Sequence, residues 1–204
     1  MQMKLTGFHV CGITLIGFAL GCSAEGMSND EGGEVSADDA VELGSLEQRL
    51  VNTWIGPVSE EVGYNAATCA QANVGVQQAD CTGQYCDNNY LYCAALPAGR
   101  TTIGSGFWTA YISEKNPNNN IYCQTGGVGT PINGIVDGIR ATGQYSDNIS
   151  LHCREMNQAP VSCTWTGWFS EENSAMNFGA GWYATGVKCS GQYCDNLSYY
   201  ICTF

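Results

Sequence analysis

The residues best placed to do chemistry recur three times in this chain: Gly83-Gln84-Tyr85-Cys86-Asp87-Asn88, Gly143-Gln144-Tyr145-Ser146-Asp147-Asn148 and Gly191-Gln192-Tyr193-Cys194-Asp195-Asn196. Tyr85, Tyr145 and Tyr193 can offer a flat apolar face with a polar tip to the C–H surface of a sugar. Gln84, Gln144 and Gln192, with the pairs Asp87–Asn88, Asp147–Asn148 and Asp195–Asn196, can supply directional hydrogen bonds to hydroxyls. That chemistry is glycan recognition. The same residues also admit an architectural reading. Asp and Asn fold back on their own backbone at turns, Gly permits the turn, and Tyr closes a sheet edge.

Other candidates stand apart from this motif. Trp54, Trp108 and Trp165 recur at one repeat position and are expected as core or inter-sheet plugs. Trp168 and Trp182 occur in the third copy alone, where exposure would make them a sugar-stacking face. The corners Ser59-Glu60-Glu61 and Ser170-Glu171-Glu172 could bind calcium through hard oxygen ligands with Asp87 or Asp195, although no EF-hand spacing is present. No cofactor is therefore expected. His152 is the one histidine after the leader, so a Ser-His-Asp or Cys-His site would rest on it alone. Zinc lacks histidine partners. The same glutamates could form a carboxylate pair for glycoside hydrolysis, a weaker alternative because acids repeated at equivalent corners read as architecture. Neither a phosphate loop nor a dinucleotide fingerprint appears. A non-enzyme is expected.

The elements that must position these residues are themselves repeated. Copies begin Trp54-Ile55-Gly56-Pro57-Val58-Ser59, Trp108-Thr109-Ala110-Tyr111-Ile112-Ser113 and Trp165-Thr166-Gly167-Trp168-Phe169-Ser170, 54 and 57 residues apart. Each ends in a short strand reaching Cys93, Cys153 or Cys202, giving repeats over about 54–93, 108–153 and 163–204 within a domain spanning 49–204. Comparing copies constrains the disulfides, for which ten cysteines alone allow 945 pairings. Copy two has Ala141 and Ser146 where the others have Cys81, Cys86 and Cys189, Cys194, as loss of one bridge would leave it. Cys81 is therefore paired with Cys86, and Cys189 with Cys194. Cys123 and Cys153 then remain for each other, and Cys69–Cys93 is the same bridge in copy one. Copy three has Ala180 at the matching position, so Cys202 takes the leftover Cys163.

Each copy reads as three or four strands separated by Gly- and Asn-rich turns. In copy three they are expected over 165–170, 181–190 and 197–203. Three units that cannot each bury a face alone can share a core about a pseudo-threefold axis, so the fold class is all-β and disulfide-rich, a β-prism or a β-trefoil. The order of Trp, Cys, a Gly-bounded strand, then Asp-Asn before a strand ending in Cys distantly resembles the vitelline membrane outer layer protein family. That resemblance covers about 49–204 and implies a β-prism of three Greek-key sheets. The Ser-Glu-Glu and Cys-x-Gly-x-Tyr-Cys-Asp-Asn signatures also resemble Cys-rich repeats of bacterial secreted proteins.

The segment before the repeats reads as an export leader. Lys4 and the apolar run 10–20 precede Ala19-Leu20-Gly21-Cys22, which resembles a bacterial lipobox. Residues 1–21 would be removed and Cys22 would carry lipid, giving outer-membrane or cell-surface localisation; simple secretion is the alternative. Residues 22–48 hold eight acids and no Lys or Arg, the composition of a disordered, self-repelling tether. With 19 acidic against 7 basic residues the chain offers no phosphate-neutralising surface, so nucleic acid is excluded as a partner. What remains is a lectin-like module for glycans or a surface protein, with a structural or protein-interaction lipoprotein as the alternative. Contact with a membrane would come through the N-terminal lipid only.

Overall fold

The computed structural model describes residues 52–204 except 62–64, 117–118, 126–129 and 174. The leader, Cys22 and the acidic tether lie outside the described residues. Copy one forms β1 (Thr53–Val58), β2 (Ala66–Thr68), β3 (Val74–Thr82) and β4 (Asn88–Ala95). Copy two forms β5 (Thr102–Trp108), β6 (Asn120–Tyr122), β7 (Gly134–Thr142) and β8 (Asn148–Met156). Copy three forms β9 (Ser162–Trp165), β10 (Met176–Asn177), β11 (Tyr183–Ser190) and β12 (Asn196–Thr203).

These strands make three antiparallel four-stranded sheets, in the orders β1-β4-β3-β10, β2-β7-β8-β5 and β6-β11-β12-β9. The protein is a pseudo-threefold, three-repeat β-prism. Its three separate sheets replace the single barrel that a trefoil would need. The copies are interlocked: β2 of copy one pairs with β7, β6 of copy two with β11, and β10 of copy three with β3. Each sheet is therefore completed by the copy before it in the cycle, and no copy can fold its sheet alone.

The core lies between the sheets. Val76, Val136 and Ala184 face inward together with Ala79, Ile139 and Val187 three residues on. A strict period of two would put one of these rows outside. A register shift in each β3/β4, β7/β8 and β11/β12 pairing, next to Gln77, Asp137 and Thr185, inserts the extra residue that reverses the alternation. At one end of the axis the matched positions are Gly75, Ile135 and Tyr183. A Cβ on Gly75 would run into the Ile135 and Tyr183 side chains, so one empty position makes room for two large neighbours.

Five disulfides form: Cys69–Cys93, Cys81–Cys86, Cys123–Cys153, Cys163–Cys202 and Cys189–Cys194. Many disulfides mark an exported protein. The alignment of copy three differs from the sequence expectation by one or two residues. Phe178 donates its amide to Gln77 just as Cys69 does to Asp137 and Cys123 to Thr185, so Phe178 and not Ala180 is the matched position. Counting from Asn88, Asn148 and Asn196, Ile201 and not Cys202 matches Cys93 and Cys153. In copy three a buried Phe178/Ile201 pair thus stands where copies one and two have a bridge. Cys163–Cys202 joins paired residues of β9 and β12 instead.

A second expectation fails in the same region. The first strand of copy three ends at Trp165, and beyond it the ladder to β12 resumes only as an isolated Phe169–Leu197 bridge. Thr166 explains the break, because its Oγ1 accepts the Tyr199 amide at 3.0 Å and takes over a bond the backbone ladder would make. Thr109 does the same for Leu151 at 2.9 Å.

Candidate functional site

The repeated motif is brought to one place. Each Gly-Gln-Tyr segment forms a tight turn, Gln84–Cys86, Gln144–Ser146 or Gln192–Cys194, at the same end of the prism. The tyrosines meet on the axis with ring centroids 5.2 Å (Tyr85–Tyr145), 5.1 Å (Tyr85–Tyr193) and 4.9 Å (Tyr145–Tyr193) apart. They close the axis and not a sheet edge, each half-buried ring in tilted or edge contact with the other two. All three hold left-handed backbone, with φ of 60°, 55° and 59°, which costs an L-residue roughly 1–2 kcal/mol. Surrounding contacts enforce it. Asn88 Nδ2 donates to Asp87 Oδ1 at 2.6 Å, and the Asn148–Asp147 and Asn196–Asp195 bonds repeat this at 2.6 and 2.5 Å. The pairs fill the space over Gly83, Gly143 and Gly191, where any Cβ would overlap the Asp carboxylate. Gln84, Gln144 and Gln192 remain exposed as a rim.

The copies also grip one another around this end. Ser146 Oγ donates to the Asp87 carbonyl at 2.9 Å. At the matched positions the bonded sulfurs of Cys86 and Cys194 lie 3.2 and 3.4 Å from the Asp195 and Asp147 carbonyl oxygens. A disulfide sulfur carries no proton, so those two are packing contacts. Copy two has exchanged a bridge for a hydroxyl that makes the true hydrogen bond.

The Ser-Glu corners reach across copies to the same turns. Glu60 Oε1 accepts the Tyr145 amide at 2.5 Å, while Glu171 and Glu114 carboxylates lie against Cys86 and Cys194. Lys115 pairs with Asp147 at 3.3 Å where copies one and three place Glu61 and Glu172. Among the described residues Asp87 has no such cation. Burial, then the charges of Glu61 and Glu60, raise its carboxyl above the usual Asp range, and bonds from Asn88 oppose this only in part. A raised native value means that the folded state holds this proton more tightly than the unfolded chain. Stability from this group is present below the ordinary value near 3.8 and is lost as pH rises through the raised one. Asp87→Asn should therefore gain stability over the parent at pH 7 and lose that advantage near pH 3, as paired urea titrations would show. Among the described residues no group of three or more His, Cys, Asp or Glu is arranged to hold a metal ion.

Among the described residues, the polar side chain that His152 meets is an acid, Asp137. Its Nδ1 lies 2.6 Å from Oδ1 of the fully buried Asp137, whose Oδ2 accepts from Arg154 Nε at 2.5 Å. Its ring packs on Trp108 at 4.9 Å, and its Cε1 and Nε2 face Gly106. Asp137 is the extra residue of the β7 bulge, and its two partners satisfy a carboxylate that burial would otherwise make costly.

The recurrent tryptophans lie on the outer sheet faces, against the sequence expectation. Trp54, Trp108 and Trp165 pair across strands with Tyr92, His152 and the strand position of Tyr200, and Trp54 is 43% exposed. The run of the chain is broken after each Trp, by a register shift between Ile55 and Val58 in copy one and by the end of the strand at Trp108 and Trp165, so that Val58, Ile112 and Phe169 turn inward four residues on. No family model, curated protein or solved structure matches this chain. The site must be read from its own geometry.

On the outer face of the β6-β11-β12-β9 sheet, Trp165 lies 5.0 Å from Tyr200 and 5.7 Å from Tyr122, and Tyr122 lies 5.3 Å from Tyr200. Trp168, 46% exposed, extends this surface, with the Lys188 ammonium 4.7 Å from its ring and 4.3 Å from that of Trp165. Trp182 instead packs against the core. Sequence reasoning singled out Trp168 but missed Tyr122, Tyr200 and Lys188. Lys188 could have been found, since it stands five residues before Tyr193 as Arg140 stands five before Tyr145.

Proposed function

We propose that the protein is an exported, non-catalytic, lectin-like module that binds glycans, held at the cell surface by a lipid on Cys22 and the acidic tether. The supporting observation is the joined aromatic surface of Trp165, Tyr122, Tyr200 and the exposed Trp168 on one rigid sheet. Flat rings on paired strands suit the C–H faces of pyranose units. The repeated turns serve this reading by closing the prism, because their tyrosines are packed on each other. Their glutamine rim is left as a secondary polar contact.

A polysaccharide array probed with the oxidised protein tests the proposal. Trp168→Ala should weaken the strongest signals about tenfold, the worth of one ring contact at 1.4 kcal/mol per decade, without lowering stability. Detergent-phase partition of the same protein, lost in Cys22→Ser, reads out the anchor. A blank array from folded protein would turn the assignment to a protein-interaction lipoprotein.

A further inference from the structure

Two of the three outer faces share a unit that the first lacks. In the third, the Lys188 ammonium lies between the Trp165 and Trp168 rings. In the second, the Arg140 guanidinium lies 4.7 Å from both the Trp108 and Tyr111 rings. The strand registers make these the same place. Ile139 of β7 pairs with Ala67 of the added strand β2, and Val187 of β11 with Ile121 of the added strand β6; Arg140 and Lys188 are the next paired positions, opposite Ala66 and Asn120. The first face has Asp80 at that position and Pro57 where the second ring would stand. Two supporting residues change with them. Thr109 and Ser150 form a buried hydroxyl pair under the cation, Thr166 and Ser198 a part-buried one, and the first face has Ile55 and Tyr90 there. Four positions that depart together in one copy and agree in two are the mark of a unit.

The unit is built and unspent. Ser150 is fully buried, donates to the Thr109 carbonyl at 2.8 Å, and accepts from Arg140 Nε at 3.2 Å, which fixes the guanidinium between its rings. Lys115 and Arg154 are neutralised by carboxylates, whereas Arg140 and Lys188 have no carboxylate within 4.0 Å among the described residues. Arg100 also lacks a carboxylate among the described residues, but it has no ring beside it, whereas Arg140 and Lys188 are each held against two aromatic rings. Each presents a positive charge flanked by partly exposed ring surface, with Tyr111 at 38% and Trp168 at 46% exposure.

Resting on the glycan-binding reading, we infer that the second and third faces are paired subsites for acidic sugars, the ring stacking on Tyr111 or Trp168 and its carboxylate or sulfate meeting Arg140 or Lys188. An Arg fork suits a planar carboxylate and an ammonium a point anion. The net negative domain repels a dense polyanion, so the fitting ligand is a largely neutral chain with spaced acid groups. Two subsites on one body add avidity when a single chain reaches both.

Affinity electrophoresis of the oxidised protein in gels holding glucuronoxylan, the same polymer after reduction of its carboxyls to alcohols, or polygalacturonate tests this; a sulfated neutral glucan separates sulfate from carboxylate. Retardation by glucuronoxylan should weaken at least tenfold on carboxyl reduction. Arg140→Met with Lys188→Met should abolish that difference while leaving the melting temperature within a few degrees, and Asp80→Asn should leave it intact. Equal retardation by native and carboxyl-reduced polymer overturns the acidic-sugar assignment and leaves glycan binding standing. No retardation by any polymer, from protein shown to be folded, overturns both. Binding to polygalacturonate alone, unaffected by the double Met variant, also overturns it.

Discussion

Cys69→Ala/Cys93→Ala and Cys123→Ala/Cys153→Ala should each lose about 3–4 kcal/mol, the chain-entropy value for loops of 24 and 30 residues. Together they would remove most of the stability a domain of this size commonly has, about 5–15 kcal/mol. The reason lies in the strand exchange. Cys69 directly follows β2, which belongs to the second sheet, while Cys93 lies in β4 of the first. Cys123 and Cys153 connect the third sheet to the second in the same way. Each added strand is two or three residues long and would fray without a tie at its end. The third copy offers an internal comparison. There Phe178 follows β10, packs on Tyr199 with ring centroids 5.5 Å apart, and lies beside the core residue Ile201. Phe178→Ala should lose about 3–5 kcal/mol, the ordinary range for a buried phenylalanine, so packing and a covalent bond do comparable work at one position. Urea titration under oxidising conditions checks all three variants. Losses below about 1 kcal/mol in the bridge variants would mean that the short strands are held by their ladders alone.

The fold was legible because the sequence compares itself. Three copies of Gly-Gln-Tyr-x-Asp-Asn announced a threefold body, and the joint absence of Cys at 141 and 146 led to the pairing of all ten cysteines now seen bonded. The exchange of β2, β6 and β10 was hidden, because a strand of two or three residues has no period to read. The offset at Phe178 and Ile201 was hidden for another reason. Cysteine is the most conspicuous residue to align on, yet in copy three the equivalent positions had changed to aromatic and aliphatic side chains.

The site was less legible than the fold. Layers of side chains filling a threefold body suggest tryptophans as plugs, but the register shifts in the sheets and the strand ends after Trp108 and Trp165 set which row faces the core, and such breaks leave little trace in sequence. The motif residues were seen as three sites, and threefold symmetry makes them one: what lies near the axis converges, and what lies on the outer faces stays apart. Tyr85, Tyr145 and Tyr193 each touch the other two, so a change in one must be matched by the others, whereas at the opposite end Gly75, Ile135 and Tyr183 meet the same demand with three unlike residues. The outer faces meet no such constraint, and Asp80, Arg140 and Lys188 differ at one register position. Specialised binding is therefore expected on the faces and uniform packing where the tyrosines close the axis.

That division makes the tyrosines a decisive test. Tyr145→Ala should lose about 3 kcal/mol, roughly 1 from the half-buried ring and about 1 from each of its two ring contacts. Tyr145→Gly should lose about 1 kcal/mol less, because glycine holds the left-handed backbone without penalty. The triple alanine variant should lose about 6 kcal/mol, less than three single losses, since each ring contact is shared by two residues and is counted twice when the singles are added. Urea titration measures all of these, and the shortfall from additivity is itself the signature of a closed triad. If instead the three tyrosines were independent glycan platforms, single and triple variants would stay near parental stability and binding would fall in proportion to the rings removed. With the triad as packing, any single variant that remains folded keeps its affinity for glycan, and the loss appears only where the protein unfolds.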